Sequence, residues 1–298
     1  MTALPLHEDA STTGALSLLV LSSILWASSF VSVKIGLAYV NAYTFVFLRL
    51  ALAACTLLLL LILRRRFHFG MLKQTSVWTL GLLNGVGFSL QYLGLLFTTP
   101  AKTALLIDLN VVVVAVLSWW MFQESFSSRK KLGVFFGVVG ALMITTDGNL
   151  STLAQGQALG DVLVFAAGLV WALFIVLHKR ILIKREQDAI DLSALVMIAT
   201  AIFLLPPAIL LGNLTTAVIP NVGWELVAYT AVACSVLPYA MWVVALKVVT
   251  ATVASVVSML EIVAAMLMST LLLGEAYSTV TLIGAMLVLA SIFAVAES

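Results

Sequence analysis

SWWMFQESFSSRKKLG, residues 118–133, and STLLLGEAYSTVTLIG, residues 269–284, follow one pattern at a spacing of 151 residues. In each stretch an apolar segment ends at a glutamate, a short serine-containing link follows, and a glycine lies in the next segment. The same spacing aligns Thr99 with Thr250, Leu109 with Leu260, Ser118 with Ser269, Glu124 with Glu275, Ser127 with Ser278 and Gly133 with Gly284. Self-similarity at a fixed spacing indicates repeated architecture, and it predicts two halves here, 1–150 and 151–298.

Ten apolar segments of about 20 residues, the length that crosses a bilayer as a helix, divide evenly between these halves. They are 14–36, 41–63, 76–97, 101–123, 129–147, 159–178, 191–211, 222–246, 250–273 and 278–296. Because each half holds an odd number of spans, the second half enters the membrane in the opposite direction. The sequence therefore predicts an all-α membrane protein, with ten transmembrane helices arranged as two inverted five-helix repeats.

Positive charge is distributed unevenly over the connections between the segments. Lys34 and Lys102 flank one set of connections, Arg49 lies within a span, and the other twelve of the fifteen Lys and Arg residues lie at the alternate connections. Those twelve are Arg64, Arg65, Arg66, Lys73, Arg129, Lys130, Lys131, Lys179, Arg180, Lys184, Arg185 and Lys247. Cytoplasmic connections carry the excess of Lys and Arg. The pattern predicts an inner or plasma membrane protein with both termini in the cytoplasm.

The composition excludes a soluble globular protein. The chain is 63% hydrophobic and 9% charged, with a mean hydropathy of +1.18, whereas charged residues make up roughly a quarter of soluble domains. Its net charge of +2 gives no reason to expect nucleic acid as a partner. Cys55 and Cys234 lie inside apolar segments and indicate neither a disulfide framework nor a metal site, and we expect no cofactor.

Several short motifs give the chain a family resemblance. They are Trp26-Ala27-Ser28-Ser29-Phe30 with Lys34, Arg49, Glu124, and Trp171 with Glu275. With these residues the chain resembles the EamA-type members of the drug/metabolite transporter superfamily, and its YddG-type amino-acid and drug exporters are the nearest group. The resemblance implies a ten-helix exporter of small metabolites with paired EamA domains. The chain departs from the family at Asn110, where proline is frequent, and in having no counterpart of Arg49 in its seventh span.

Two charged residues are predicted to lie at the same depth in the membrane. Arg49 follows Asn41 by eight residues and Asp108 follows Pro100 by eight, so each lies about 12 Å below the outer face at about 1.5 Å per residue. A charge at the bilayer centre costs roughly 2.5–3.5 kcal/mol and needs a partner or water. We expect Arg49 and Asp108 to form a structural ion pair, directly or through water. Asp108 is also a candidate substrate or proton site.

Glu261 lies close to the middle of the ninth span, at the repeat position of Asn110. Burial favours the neutral form of an acid, which suits a group that exchanges a proton during transport. Glu261 is therefore the first candidate for proton coupling, with Asp108 as the second. The alternative is a neutral side chain that is hydrogen-bonded to a neighbouring helix.

Polar and aromatic residues of the first, third, fourth, sixth, eighth and ninth spans are predicted to line a central cavity, because lipid offers polar groups no hydrogen-bond partner. The candidate substrate-binding residues are Trp26, Ser29, Asn84, Gln91, Tyr92, Asp108, Asn110, Trp171, Ser235, Tyr239, Trp242 and Ser258. Apolar packing is the alternative for Trp26 and Trp171. Pro238 removes a backbone hydrogen bond and frees a carbonyl, which indicates a hinge, a ligand contact or a packing kink. His178 is expected at the water boundary.

These features favour a secondary transporter of small metabolites, with amino acids and related amphipathic compounds as the expected substrates. The sequence contains no phosphate-cradling Gly-Lys-Ser/Thr loop, so gradients are the expected energy source. It also lacks a His-Glu-x-x-His or a Gly-x-Ser-x-Gly motif, and we expect no enzyme. A channel or a lipid-flippase subunit is the alternative. Besides its substrate and the lipid bilayer, the chain is expected to have no partner other than a second copy of itself.

Overall fold

The computed structural model describes residues 8–65, 72–97, 103, 106–123, 127–146, 148–149, 151, 158–185, 189–215, 218–273 and 278–296. Throughout these residues the regular secondary structure is helical, which confirms the predicted all-α architecture. Glu124, Glu275 and Lys102, which the sequence analysis singled out, lie outside the described residues.

The first part of the chain forms five helices. They are α1 (Glu8–Gly36), α2 (Ala42–Leu63), α3 (Thr75–Phe97), α4 (Asn110–Phe122) and α5 (Ser128–Thr146). The side chain of Asn41 begins α2 by accepting a hydrogen bond of 2.9 Å from the Tyr43 N–H, as helix-capping asparagines do. Gln123 ends α4 in the left-handed conformation, with φ of 54°. Local capping therefore sets these two helix boundaries.

The second part of the chain forms seven α-helices and one π-helical segment. They are α6 (Ala158–Arg185), α7 (Ala189–Leu210), α8 (Asn221–Ala231), the π segment (Val232–Val236), α9 (Leu237–Val248), α10 (Ala251–Ser258), α11 (Leu260–Leu273) and α12 (Thr279–Ala296). The π segment joins α8 and α9 into one apolar stretch, Asn221–Val248. A one-residue turn at Met259 separates α10 from α11.

A similar one-residue turn, at Leu109, interrupts the apolar helical stretch Leu106–Phe122. Its φ and ψ are −59° and −13°, and those of Met259 are −60° and −15°. The N–H of Val112 bonds the carbonyl of Leu109, and the N–H of Ile262 bonds that of Met259. Each turn thus tightens its helix through i→i+3 bonding, and the predicted spans 101–123 and 250–273 are interrupted helices rather than continuous ones.

The helices have the length and composition of membrane spans. In the described part of the chain, seven stretches are long and apolar enough to cross a bilayer: Thr12–Val33, Ala42–Leu63, Thr75–Phe97, Leu159–Ile183, Ile190–Leu210, Asn221–Val248 and Ala251–Met268. Leu106–Phe122 and Thr279–Ala294 are shorter apolar helices. Leu210 and Leu271 are about four-fifths exposed, a placement that suits contact with lipid. The protein is a multi-pass membrane protein.

Helices from the two parts of the chain pack on each other throughout the bundle. α2 contacts α7, and α5 contacts α12. α1 contacts α9 and α11, while α3 and α4 both contact α6. α3 also contacts α7, and α8 contacts α2. The centre of the bundle is therefore surrounded by helices from both parts.

Candidate functional site

A cavity of about 170 Å³ lies at the centre of the bundle. Its volume is well above the roughly 15 Å³ that one water molecule needs. Of the candidate substrate-binding and coupling residues, all but Tyr92 line it, and Arg49 lines it too: Trp26, Ser29, Arg49, Asn84, Gln91, Asp108, Asn110, Trp171, Ser235, Tyr239, Trp242, Ser258 and Glu261. Helices distant in sequence thus bring the predicted residues together, while their roles in binding stay predictions.

Arg49 is held from three sides by hydrogen bonds. Its Nε donates to Ser235 Oγ at 2.8 Å, its Nη2 to the Cys234 carbonyl at 2.9 Å, and its Nη1 to Tyr92 Oη at 3.3 Å. Its Cζ also lies 5.8 Å from the centroid of the Phe88 ring. Arg49 is 4% exposed, so these bonds replace the water that a buried guanidinium would lack. Tyr92 therefore supports Arg49 from outside the cavity lining.

Pro238 accounts for one of these acceptors. In an α-helix the carbonyl of Cys234 would accept from the N–H of residue 238, which proline does not have. The Cys234 carbonyl accepts from Arg49 instead, and the carbonyl of Pro238 accepts from Ser22 Oγ of α1 at 3.0 Å. Ser235 Oγ donates to the carbonyl of Thr230, five residues earlier, at 2.9 Å. The break in α8–α9 thus forms a binding point for Arg49, not a bare kink.

Asp108 does not receive the hydrogen bonds of Arg49. Each guanidinium nitrogen donates to Ser235, Tyr92 or Cys234, and Asp108 Oδ2 is buried without a hydrogen-bond partner among the described residues. The expected direct ion pair is therefore replaced by another arrangement, because the π segment supplies better-placed oxygens. Pairing through water stays a prediction. Asp108 remains on the cavity wall with one carboxylate oxygen unused.

Glu261 lies on the same wall as Asp108. Glu261, Asp108 and Arg49 all line the same cavity. Ser258 and Ser255, three and six residues before Glu261, line it too. Ser255 is 5% exposed, and its Oγ has no hydrogen-bond partner in the described part of the chain. This wall therefore holds polar atoms that the protein leaves unpaired.

Asn84 fixes the position of Trp171. Its Nδ2 donates to Thr200 Oγ1 at 3.1 Å, and its Oδ1 accepts from Trp171 Nε1 at 3.3 Å. The indole lies against Gly87, where an added Cβ would come within 2.8 Å of Trp171 Nε1. Phe88 packs edge-on against the same indole, with ring centroids 5.3 Å apart. Trp171 is consequently a fixed wall of the cavity.

Aromatic rings from α1, α6 and α9 form a second wall. Trp242 stacks on Tyr239 and on Phe174, with centroids 6.2 Å and 6.5 Å apart, and lies 6.4 Å from Trp26. His178 Nδ1 is 3.3 Å from Tyr239 Oη. His178 is fully buried, so the expectation that it lies at the water boundary is wrong. The reason is that α6 continues to Arg185, seven residues past the predicted end.

Lys179 adds a link next to His178. Its Nζ donates to the carbonyls of Leu246 at 2.5 Å and Val249 at 2.7 Å. Leu246 lies in the last turn of α9 and Val249 directly follows the helix, where carbonyls lack intrahelical donors. Lys179 therefore links α6 to the C-terminal end of α9.

Sequence reasoning missed some cavity residues: Phe30, Phe88, Ile107, Phe174, Ile175, Met197, Cys234 and Ser255. Helical spacing could have found two of them. Phe88 lies four residues after Asn84 and three before Gln91, and Ser255 lies three before Ser258, so each shares a face with a predicted residue. Met197 is an apolar residue among apolar neighbours and carried no signal. Among the described residues, no three His, Cys, Asp or Glu side chains come together as a metal site would need.

Comparison with known proteins relates this chain to a family of transporters. Residues 13–146 and 158–296 each match the model of the EamA-like transporter family. An uncharacterized transporter of Archaeoglobus fulgidus is 28% identical over 282 residues, which are 93% of this chain and 95% of that protein. The uncharacterized transporter YyaM of Bacillus subtilis is 26% identical over 213 residues, 70% of this chain and 69% of YyaM.

One solved protein crystal structure resembles the bundle over nearly its whole length. The TM-score is 0.77 at 17% identity, covering 95% of this chain and 96% of the other. At this identity the likeness concerns the fold alone.

Proposed function

Because the chain belongs to the EamA-like transporter family, we propose that it is a secondary transporter that exports or exchanges small metabolites by alternating access through the central cavity. Its substrates are amino acids and related amphipathic compounds. Family membership and the names of its relatives indicate a transporter and not an enzyme.

The observation that carries this proposal is the chemistry of the cavity. Aromatic side chains from four helices, α1, α3, α6 and α9, surround it, and the ionisable residues Arg49, Asp108 and Glu261 lie on its wall. Binding sites for small molecules combine mostly apolar walls with a few placed polar groups. A solute with an apolar body and a charged head is the ligand that fits both features.

The symmetry of the helix contacts supports alternating access. If α1 to α5 correspond in order to α6, α7, α8–α9, α10–α11 and α12, the contact of α1 with α9 becomes that of α6 with α3. The contact of α1 with α11 likewise becomes that of α6 with α4, and α2–α7 and α5–α12 become themselves. The turns at Leu109 and Met259 lie within one residue of equivalent positions at the 151-residue spacing. Two inverted halves of this kind can exchange conformations and so expose one site to either face.

Ion coupling is assigned to the acidic wall. Glu261 and Asp108 are the carboxyl groups of the described cavity lining, and an ionisable residue inside a membrane suggests a role in transport. We assign both termini to the cytoplasm of an inner membrane, from the distribution of Lys and Arg.

Counterflow in proteoliposomes tests the proposal. Vesicles are loaded with an unlabelled amino acid, labelled substrate is added outside, and transient accumulation is followed for amino acids, sugars and cationic drugs. A carrier gives saturable accumulation that depends on the internal solute. Flux that does not saturate, or conductance in a planar bilayer, would indicate a channel, and movement of labelled lipid between leaflets would indicate a flippase.

A further inference from the structure

The charges on the cavity wall do not balance. Among the described lining residues, Arg49 is the basic one, and Asp108 and Glu261 are the acidic ones. Arg49 already donates from all three of its nitrogens to Ser235, Tyr92 and Cys234. Asp108 Oδ2 is buried without a hydrogen-bond partner among the described residues. Burial favours the neutral form of both acids while the cavity is empty, and when both are ionised the lining carries one negative charge more than Arg49 neutralises.

A buried carboxylate without a partner is energetically unfavourable. The penalty is removed when the acid takes up a proton, or when a cation or hydrogen-bond donor takes the place of the lost water. The two acids line the same cavity, so one cationic group between them would also relieve the repulsion between their ionised forms. A ligand with a single positive charge balances the wall.

Ser255 provides an independent indication that a ligand binds here. The residue lines the cavity and is 95% buried, with 5% of its surface exposed, and its Oγ has no hydrogen-bond partner among the described residues. Buried hydroxyl groups in proteins are normally hydrogen-bonded. An N–H group held beside the acidic wall would supply the missing bond to this oxygen.

The rest of the lining suits the body of an organic cation. Trp26, Phe88, Trp171, Tyr239 and Trp242 line the same cavity. Aromatic faces attract ammonium groups within about 6 Å of their centroids, with tryptophan the strongest. The same rings provide the apolar surface that an aromatic or aliphatic body would contact.

We propose that the cavity selects monoamine cations, whose ammonium group binds at Asp108, Glu261 and Ser255 while the apolar body lies against the aromatic walls. This inference rests on the proposed transport function and narrows its substrate class. Amines without a carboxylate bind more tightly than the corresponding amino acids, and the corresponding acids bind least. A substrate carboxylate would meet two acidic side chains and an arginine that already donates three of its five N–H groups to the protein.

Three compounds with the same phenyl body separate these classes. 2-Phenylethylamine is a cation, phenylalanine a zwitterion and 3-phenylpropionate an anion at neutral pH. Binding of each is measured by competition against labelled 2-phenylethylamine on the purified full-length protein in detergent. One hydrogen bond to a charged group corresponds to roughly 10- to 100-fold in affinity, so we expect the amine to bind at least about tenfold more tightly than phenylalanine. Equal or tighter binding of phenylalanine or 3-phenylpropionate, or no binding of the amine, would overturn the proposal.

Variants of the lining residues test where the ammonium group of the amine binds. Asp108→Asn and Glu261→Gln should each weaken the amine by roughly 10- to 100-fold, and Ser255→Ala should weaken it by a smaller factor. Glu225→Gln is the matched control, because Glu225 is an exposed acid of α8 outside the cavity lining. This variant should bind 2-phenylethylamine as tightly as the unmodified protein does. Retained affinity in both carboxylate variants, each verified as monodisperse, would also overturn the proposal.

Counterflow with the same compounds distinguishes this inference from the transport function on which it rests. If the amine binds but no compound is accumulated, the transport function fails and the site assignment stands. If phenylalanine is accumulated and the amine neither binds nor competes, the transport function stands and the monoamine assignment fails.

Discussion

The two sides of the central cavity treat buried charge in opposite ways. On one side Arg49 has an acceptor for each of its nitrogens, two of them at the interrupted helix α8–α9. On the other side Asp108 keeps an oxygen without a partner, and so does Ser255. A buried charge that is hydrogen-bonded to neighbouring helices fixes their packing, whereas one without hydrogen bonds costs stability. The basic side is thus tied to the surrounding helices, and the acidic side keeps oxygens without a partner among the described residues.

Substitution of Arg49, on the basic side of the cavity, should have the largest effect on stability. Arg49→Ala deletes three hydrogen bonds and leaves Ser235, Cys234 and Tyr92 without their donor. We expect a loss of about 3 kcal/mol or more in the free energy of unfolding, seen as a lower unfolding temperature in detergent and less monodisperse protein. Arg49→Lys should recover only part of it, because an ammonium lacks the planar fork of the guanidinium.

A stable but inactive Arg49→Ala variant would reverse the assignment of the two sides. It would mean that Arg49 contacts substrate directly and that its bonds to α8–α9 contribute little to stability.

Substitution of Asp108, on the acidic side of the cavity, should affect transport and not stability. Asp108→Asn removes an unpartnered charge, so the unfolding temperature should stay the same or rise. Counterflow should fall by roughly 10-fold or more, the equivalent of one charged hydrogen bond. A drop in stability comparable with that of Arg49→Ala would show that Asp108 is a structural partner after all.

Glu261→Gln tests whether this acidic side also couples transport to protons. Exchange of substrate across the bilayer should persist, and accumulation driven by an imposed pH gradient should be lost, because glutamine cannot bind and release a proton. Both are measured in the same proteoliposome preparation. Uptake that keeps its full dependence on the gradient would remove Glu261 from the coupling role.

A neighbouring pair of glycines tests the aromatic wall between the two sides. In Gly87→Ala the new methyl would come within 2.8 Å of Trp171 Nε1, whereas in Gly85→Ala its nearest contact is at 3.4 Å. We expect Gly87→Ala to displace the indole from Asn84, to cost about 1–3 kcal/mol and to change the size preference in counterflow. Gly85→Ala is the control and should resemble the unmodified protein. Identical substrate profiles for both variants would argue against Trp171 as a fixed wall.

Substitution of Lys179 should have the smallest effect on stability. Lys179 is a second buried cation that is hydrogen-bonded by the protein. Lys179→Gln weakens the cap on the last turn of α9, where a positive charge is worth up to about 2 kcal/mol in partly buried positions. The unfolding temperature should fall less than in Arg49→Ala, while amine binding stays unchanged because Lys179 lies outside the cavity lining. A larger loss than that of Arg49→Ala would contradict this ranking.

Much of the candidate site was predictable because polar residues are rare in membrane spans. Asp108, Glu261, Asn84 and Gln91 each stood out against apolar neighbours, and the cavity contains all four. Phe174 and Met197 could not be found in this way, since an apolar residue on a cavity wall has the same sequence signature as one facing lipid. The turn at Met259 was also hidden, because its backbone differs from a regular helix only by two i→i+3 bonds.

The buried charges show what the amino-acid sequence determined and what it did not, since the sequence identified the charges but not their partners. Hydropathy alone determined the membrane class, the helical fold and which polar groups would have to leave the lipid, because the cost of exposing them is local to each span. Only the tertiary structure decided that Arg49 bonds Ser235, 186 residues away, and leaves Asp108 unpaired. A hydrogen bond depends on the distance and angle between two atoms, and for helices far apart in the chain those follow from packing.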